Sequence, residues 1–192
     1  MKSVLISTRP KLVEKICHKI GEDETGKAIY EKRIEVRKTA PQEVPFKCYI
    51  YETKGQYVKF THGAHTKYGY GRGKVIGEFI CDKVYSIKNR GSSFSVADEE
   101  QSVTNEIARQ SCLYYDDMVS YFGNKNGFGW HISDVKIYDK PKELSEFRKP
   151  CDRFLDCCTC RRLVHNEYMS CDNKITRPPL SWCYVEDLGE EE

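Results

Sequence analysis

The sequence has no long apolar run, and this absence argues against a membrane-spanning helix. No segment approaches the roughly 20 consecutive apolar residues that a helix needs to cross a bilayer. Residues 1–7 carry one lysine and only a three-residue apolar stretch, so they do not resemble a secretory leader. We therefore expect a protein without a membrane domain that works in the cytoplasm, which is the host cytoplasm if a phage encodes it.

A strong excess of one charge is also missing. The 31 Lys and Arg residues nearly balance the 29 Asp and Glu residues, for a net charge of +2. A strong nonspecific binder of nucleic acid is usually far more basic. The chain has no internal repeat and no low-complexity linker, and its 192 residues fit one domain with inserts. We predict a single domain over residues 1–192, with inserts at 53–73, 87–110 and 148–175.

The apolar spacing predicts an α+β fold with several strands and a few flanking helices. Helical spacing predicts helices over residues 10–20, 97–110 and 114–122. Strand patterns occur over residues 4–6, 32–37, 46–51, 74–85, 130–138 and 182–185. The strand at 46–51 has the alternation of a half-buried strand. Residues 53–73 predict an inserted hairpin or loop, and polar composition predicts loops over 21–29 and 87–96.

Ten cysteines are present, and six of them fall between Cys151 and Cys183. Cys157 and Cys160 form a C-x-x-C pair, a spacing at which two thiolates grip one tetrahedral ion. In a reducing cytosol such clustering favours a metal over disulfides. We predict a structural zinc whose ligands are Cys151, Cys157, Cys160 and Cys171. The cluster offers three further possible ligands, which are Cys158, His165 and Cys183. Free cysteines or redox disulfides are the alternative.

Charged and apolar residues alternate in the segment 32–38. Positions 34 and 36 give the predicted strand one apolar face, whereas the other face and the ends carry Lys32, Glu35, Arg37 and Lys38. In a polar cleft the cations would meet phosphate, and Glu35 would accept a hydrogen bond from a base amino group. The alternative is a solvated face with an internal Glu–Arg pair worth about 0–1 kcal/mol.

Two further segments combine residues that suit nucleic acid. Residues 67–74 interleave cations, tyrosines and glycines, which suits the phosphates and exposed bases of a single strand, with Tyr70 and Arg72 as candidate contacts. The alternative is a hairpin tip that needs glycine for its turn. Trp130 is favoured as a core residue, and its neighbour His131 is either a ligand contact or an ordinary strand position.

The same segments resemble ASCH domains of the PUA-like superfamily, most closely those of phages and prophages of Gram-positive bacteria. Residues 32–38 are similar to the family signature G-x-K-x-x-E-x-R, and later segments follow in the family's order at residues 73–79, 130–135, 139–144 and 177–182. The resemblance covers residues 2–147 and 175–187. It implies a PUA-like mixed β-barrel with flanking helices, a cleft beside the first helix, and binding of RNA or of a modified nucleotide.

One branch of that family hydrolyses the amide of an acetylated cytidine with a Lys, a Thr and a Glu. Lys32 matches the Lys and Glu78 is the candidate for the Glu, whereas Glu35 stands at the Thr position and Tyr30 replaces the signature Gly. A lysine base needs a lowered pKa, which two nearby carboxylates oppose. We therefore favour a binding module over this enzyme. A phage factor that binds a host protein through its Cys-rich insert is a third hypothesis.

Overall fold

The computed structural model of the chain describes residues 2–62, 65–91, 93–97, 99–150 and 173–189. Its strands, in chain order, are β1 (Lys2–Thr8), β2 (Lys19–Glu22), β3 (Ala28–Tyr30), β4 (Ile34–Arg37), β5 (Phe46–Glu52), β6 (Gly55–His62), β7 (His65–Gly71), β8 (Val75–Cys81), β9 (Val84–Asn89), β10 (Phe94–Val96), β11 (Gly127–His131), β12 (Ser133–Lys142) and β13 (Trp182–Val185). Its α-helices are α1 (Pro10–Cys17), α2 (Gln101–Ser111) and α3 (Tyr115–Phe122), and a 3-10 turn spans Leu144–Glu146. The predicted α+β class with flanking helices is confirmed.

Two sheets and two separate hairpins contain these strands. The larger sheet has the order β12-β8-β5-β1-β13, and the smaller sheet has the order β10-β9-β11-β4. β1 and β5 are parallel, whereas the other neighbours in both sheets are antiparallel, so the strand arrangement is mixed. The sheets do not close into one continuous hydrogen-bonded ring. The hairpins are β2-β3 and β6-β7.

The two sheets pack face to face, with helices outside the smaller one. The residues between the sheets come from β1, β5, β8 and β11, and the Phe46 and Trp130 rings meet there at 5.1 Å between centroids. The outer face of the smaller sheet packs on α2 and α3 through Ile107, Met118 and Phe122. Aromatic and aliphatic side chains around Tyr49 and Phe147 cover the far face of the larger sheet. Trp130 is fully buried, as predicted.

Helix α1 covers one end of the space between the sheets. Pro10 stands in its first turn, where the missing N–H costs nothing, and Val13 and Ile16 enter the main core. The helix ends at Cys17, so the prediction that it extends to residue 20 is wrong. Residues 19–22 instead pair with 28–30, and the turn is held by the Asp23 carboxylate, which accepts backbone N–H bonds from Thr25 and Lys27 at 2.8 and 3.0 Å.

Two other local predictions are also wrong, and one hairpin is confirmed. All seven residues of β5 are buried rather than half, because β5 lies inside its sheet and is covered on both faces. Residues 87–96 are not a loop, because β9 runs to residue 89 and Phe94 and Val96 of β10 enter the core beneath α2. The hairpin expected within 53–73 is present as β6-β7.

The C-terminal part returns to the sheet after a segment that lies outside the described residues. Lys149 N–H donates to Asn173 O at 3.0 Å, and Ile175 N–H donates to Phe147 O at 2.8 Å. The described residues on either side of that segment, 147–149 and 173–175, are therefore hydrogen-bonded to each other. β13 then pairs with β1, which confirms the closing strand predicted at 182–185. In the part of the chain that the structure covers, no helix is long and apolar enough to cross a membrane.

The C-terminal residues are fastened to β5 through one carboxylate, and this contact gives a pH-dependent prediction. Asp187 Oδ1 accepts bonds from Lys47 Nζ at 2.9 Å and from the Tyr49 hydroxyl at 2.6 Å. Burial raises the pKa of Asp187, but these hydrogen bonds outweigh burial and hold the pKa below its usual value. A depressed pKa means that the carboxylate contributes stability above about pH 3.9, the unfolded value, and loses it as pH falls through the folded pKa.

We predict that Asp187→Asn lowers the free energy of unfolding by about 1 kcal/mol at pH 7, a modest figure because the side chain is 36% exposed. The difference from the parent should shrink as pH falls below about 3.9 and vanish only below the folded pKa, which is lower. Urea unfolding across pH 3–7 measures it, with the exposed Asp139→Asn as the matched control. An equal loss at every pH would show that the carboxylate charge has no part in the contact.

Candidate functional site

The charged residues of the signature segment lie inside the protein. In the pairing of β4 with β11, Glu35 is opposite Trp130 and Arg37 is opposite Phe128, and both aromatic rings belong to the core between the sheets. Glu35 is 3% exposed and Arg37 is 6% exposed. The alternation predicted for this strand is confirmed, but the alternative of a solvated polar face is wrong, because the larger sheet covers that face.

Lys32 is the most deeply buried of the charged residues. Its side chain has no exposed surface, and its Nζ donates to the carbonyl oxygens of Ile34 at 2.6 Å and Ser111 at 2.8 Å. The same nitrogen forms an ion pair with Glu35 Oε2 at 3.4 Å. An ammonium group has three donors; the two carbonyls engage two of them, and the contact with Glu35 is an ion pair without a hydrogen bond. Lys32 therefore joins β4 to the end of α2.

Arg37 ties two other segments, β1 and the residues before β13, to the same place. Its Nη2 lies 2.8 Å from Glu35 Oε1 and donates to Ser7 O at 2.9 Å and Thr8 Oγ1 at 3.1 Å. Its Nη1 donates to Ser181 O at 3.1 Å. Two atoms of this group stay without a hydrogen bond from any described residue, namely Glu35 Oε2 and Arg37 Nε. Buried polar atoms are nearly always paired, and these two are among six buried side-chain atoms without a hydrogen bond in the described part of the chain.

A cavity of about 610 Å³ opens over this cluster, and we call it the Lys32 cavity. Its lining comes from β1, α1, β4 and α3, from residues next to them, and from Leu180 shortly before β13. The lining residues outside the buried cluster include Thr8, Arg9, Leu12, Lys38, Leu113, Asp117 and Tyr121. Lys38 Nζ lies 5.1 Å from the centroid of the Tyr121 ring. Four cations and two carboxylates line the cavity, so its net charge is positive. The volume falls within the usual range for small-molecule sites.

Burial dominates the electrostatics of Lys32. Removal from water lowers the pKa of Lys32 below its ordinary value, and the neighbouring Glu35 opposes that shift. The lowering is the direction that a lysine base requires. The three acceptors around Nζ, however, all favour the ammonium form, and none of them is a candidate substrate.

The structure brings together four of the seven residues predicted to bind a ligand. Lys32, Glu35, Arg37 and Lys38 all line the Lys32 cavity. The other three lie elsewhere. Tyr70 and Arg72 belong to the β6-β7 hairpin and its end, and His131, the last residue of β11, has its Nδ1 2.6 Å from Asp82 Oδ1.

Glu78 does not join Lys32. In β8 it stands opposite Tyr49 of β5, on the far face of the larger sheet, and its Oε2 accepts a hydrogen bond from the Tyr138 hydroxyl at 2.5 Å. The acid–base pair of Lys32 and Glu78 that a hydrolase would need is therefore not assembled. Asp117 is the carboxylate at the cavity wall, and its Oδ2 caps the start of α3 by accepting the Tyr114 N–H at 3.1 Å.

The predicted zinc ligands Cys151, Cys157, Cys160 and Cys171 lie outside the described residues, as do Cys158 and His165. Within the described ranges, no three His, Cys, Asp or Glu side chains are grouped as metal ligands. Burial raises the pKa of Cys81 to about 12 and that of Cys17 to about 11. These two thiols, like Cys48, are core residues rather than reactive ones.

Sequence reasoning missed several residues of the cavity wall. Arg9 and Leu12 come from α1, and Asp117 and Tyr121 come from α3. No motif marks these positions. The spacing of 117 and 121 by one helical turn was visible, but only the tertiary fold shows that this face of α3 borders the cavity.

Fold and site together define an α+β protein with two packed sheets and a positively charged cavity where β1, β4, α1 and α3 meet. No protein-family model matches the chain, and the comparison with curated proteins found no match. Among solved structures, the chain is similar to the crystal structure of ASCH from Zymomonas mobilis, with 16% identity, a TM-score of 0.45, and 74% of each chain covered.

A Tyr-to-Phe mutant of that protein matches over 75% of this chain and 77% of the other, and a Ser-to-Ala mutant matches over 74% and 75%, both with 16% identity and a TM-score of 0.45. At these values the likeness carries no argument about family or function.

The buried cluster yields a prediction about stability. Replacing Lys32 by Met leaves two buried carbonyls without their donor and Glu35 without one of its cations, so we expect a loss of about 3 kcal/mol in the free energy of unfolding. Chemical denaturation measures the loss. Lys38→Met, an exposed change at the cavity mouth, should stay within about 0.5 kcal/mol of the parent. A Lys32→Met variant as stable as the parent would contradict this account of the cluster.

Proposed function

We propose that the Lys32 cavity binds one nucleotide of an RNA strand and contacts the polar edge of its base. The observation that carries the proposal is a pair of buried atoms without a hydrogen bond among the described residues. They are Arg37 Nε and Glu35 Oε2, and the latter has only its ion pair with Lys32 Nζ at 3.4 Å. One accepts a hydrogen bond and the other donates one. Both belong to residues that line a cavity of about 610 Å³.

A base edge complements this pair of atoms. A base amino group donates to Glu35 Oε2, and an adjacent ring nitrogen or carbonyl accepts from Arg37 Nε. An unpaired buried polar atom costs about 1–3 kcal/mol, so a ligand that satisfies both atoms relieves a cost that the free protein carries.

The walls and mouth of the cavity suit the rest of a nucleotide. Leu12, Leu113 and Tyr121 offer apolar and aromatic surface to the faces of a base. Arg9 and Lys38, at the exposed rim, are the residues that would bind the phosphate. Lys32 and Arg37 already donate most of their hydrogen bonds to groups inside the protein. This differs from the expectation that Lys32 and Arg37 contact phosphate themselves.

The sequence resemblance to ASCH domains supports the same assignment. The signature residues Lys32, Glu35 and Arg37 are the three that form the floor of the cavity. On that resemblance we extend the proposal to a phage-encoded protein that binds RNA or a modified nucleotide in the host cytoplasm. The remaining hypothesis, a host-protein partner at the Cys-rich insert, concerns residues outside the described ranges.

We predict that Glu35→Gln weakens binding of fluorescein-labelled oligoribonucleotides of about eight residues by roughly tenfold or more. The amide places donors where the carboxylate accepts, so one base contact is lost; charged hydrogen bonds of this kind are worth about 1.5–3 kcal/mol. Fluorescence anisotropy with oligo-A, oligo-C and oligo-U measures the affinities, and the unfolding midpoint is recorded for each variant.

Glu78→Gln is the matched control, because Glu78 lies on the far face of the larger sheet and should leave RNA affinity unchanged. Lys38→Gln tests the rim without touching the buried cluster, and it should reduce the slope of log affinity against log salt by about 0.7 per phosphate contact. If Glu35→Gln is folded and binds like the parent, the cavity is not the site of base recognition.

We further propose that one structural zinc is held by Cys151, Cys157, Cys160 and Cys171. The C-x-x-C spacing supports it, and so does the pairing of Lys149 with Asn173, which puts the two ends of this segment side by side. Four protein ligands close the coordination shell, so the metal would stabilise the insert rather than catalyse a reaction.

Metal analysis of protein purified without added zinc should give one zinc per chain. Cys157→Ser combined with Cys160→Ser should abolish it, whereas Cys112→Ser, a change at the partly buried cysteine that follows α2, should keep it. Removal of zinc by a chelator should lower the unfolding temperature of the parent and not that of the double variant. A parent protein that contains no metal would refute the site.

A further inference from the structure

The β6-β7 hairpin rises beside the Lys32 cavity and is fixed there at its base. A Cβ on Gly71 would lie 1.9 Å from Thr53 O and 2.5 Å from Pro10 Cγ, so only glycine allows this close approach to the start of α1. Thr53 N–H in turn donates to Thr8 O at 3.0 Å. Thr53 and Thr8 both line the Lys32 cavity, so the hairpin begins at the cavity rim.

One face of the hairpin carries exposed aromatic and apolar side chains. Tyr70 is opposite Gln56 and Tyr68 is opposite Val58, and these four residues share that face. Tyr70 is 71% exposed, Tyr68 is 53% exposed and Val58 is 46% exposed. Residues two apart on one strand stand about 7 Å from each other, so the two tyrosines form a short row on this face.

The opposite face of the hairpin is the one that packs inward. Tyr57 lies directly over Gly69, where an added Cβ would come within 2.4 Å of the Tyr57 ring. Burial raises the pKa of Tyr57, which agrees with its inward position. Tyr57 occupies the face of the hairpin that packs inward. Tyr68 and Tyr70 are therefore exposed while the hairpin is packed against the rest of the protein.

The charge of this region is strongly one-sided. Residues 53–74 contain five Lys or Arg and no Asp or Glu, whereas the whole chain has a net charge of only +2. Some of these cations meet carboxylates of neighbouring elements, as Lys59 meets Glu14 at 3.4 Å and Arg72 meets Glu52 at 3.8 Å. The side chains of both cations remain about half exposed. Such surface ion pairs are worth about 0–1 kcal/mol, so a phosphate can replace the carboxylates as their partner.

A second concave surface joins the hairpin to α1. This groove of about 670 Å³ is lined by Lys11, Lys15, Val58, Lys59 and Arg72, together with three glutamates that pair with Lys15, Lys59 and Arg72. Arg9 and Leu12 of the same helix line the Lys32 cavity. The two concave surfaces therefore lie on either side of the first turns of α1, at the foot of the hairpin.

We propose that the β6-β7 hairpin is a stacking platform for the nucleotides that flank the one held in the Lys32 cavity, so that the protein binds single-stranded RNA over several nucleotides. The inference rests on the proposed function of the cavity and adds a second, separate contact surface. Exposed tyrosines stack on bases of any sequence, and the local excess of cations complements the phosphates. The combination of exposed tyrosines and cations therefore favours a single nucleic-acid strand over a protein as the partner of this surface.

The test compares a fluorescein-labelled oligoribonucleotide of about eight residues with the unlabelled mononucleotides of the same composition. Tyr68→Ala combined with Tyr70→Ala removes two stacking contacts and should weaken binding of the oligonucleotide by roughly 30-fold or more. It should leave mononucleotide binding, followed by NMR shifts of cavity residues, at the parent value. Tyr68→Phe with Tyr70→Phe keeps the rings and should restore the affinity.

A charge control completes the design. Arg72→Gln with Lys59→Gln should reduce the slope of log affinity against log salt, whereas Lys140→Gln, an exposed change on β12, should not. If the alanine variant binds the oligonucleotide like the parent while Glu35→Gln loses it, the platform is wrong and the cavity stands. If only the alanine variant loses affinity, the platform stands and the cavity assignment fails. A parent that binds mononucleotides and no oligonucleotide more tightly also overturns the platform.

Discussion

The burial of Lys32, Glu35 and Arg37 between the two sheets is the constraint that most other features of the site depend on. Each ion taken out of water costs several kcal/mol even after relaxation, and mutual attraction repays this only with good geometry and further hydrogen bonds. The cluster obtains those bonds from the carbonyls of Ser7, Ser111 and Ser181. It therefore holds β1, the end of α2 and the residues before β13 around β4, and it sets the position of the cavity floor.

A cluster that served stability alone would be expected to satisfy every polar atom. This one leaves an acceptor on Glu35 and a donor on Arg37 without a hydrogen bond among the described residues, although Lys32 Nζ forms an ion pair with that acceptor at 3.4 Å. Both side chains line a cavity. Apolar residues of similar volume would often be at least as stable. The retained charges agree with the role in recognition that we propose for this cluster.

The sequence predicted the alternation of β4 correctly, but it could not tell which face the protein would cover. Arg37 and Ser181 are 144 residues apart, and Lys32 and Ser111 are 79 apart. Only the tertiary fold brings such partners together. The same reason separates Glu78 from Lys32: the family resemblance made the two residues candidates for one catalytic pair, whereas the pleat of β8 directs Glu78 to the far face of its sheet.

Local chemistry was the better guide where a segment folds on itself. The glycines and tyrosines of residues 53–73 predicted a hairpin that is present, whereas the turn around Asp23 was hidden because apolar spacing extended the helix pattern past its real end at Cys17.

The most direct test of the account is the NMR signal of the Arg37 Nε–H group, assigned by its loss in an Arg37→Lys variant and followed during titration with an oligoribonucleotide. We expect this signal to shift and to become protected from exchange as RNA binds, because a base acceptor accepts a hydrogen bond from the Arg37 Nε–H group. RNA binding that leaves the Arg37 signal unchanged, with shifts confined to other parts of the surface, would contradict the central claim that the buried cluster reads the base.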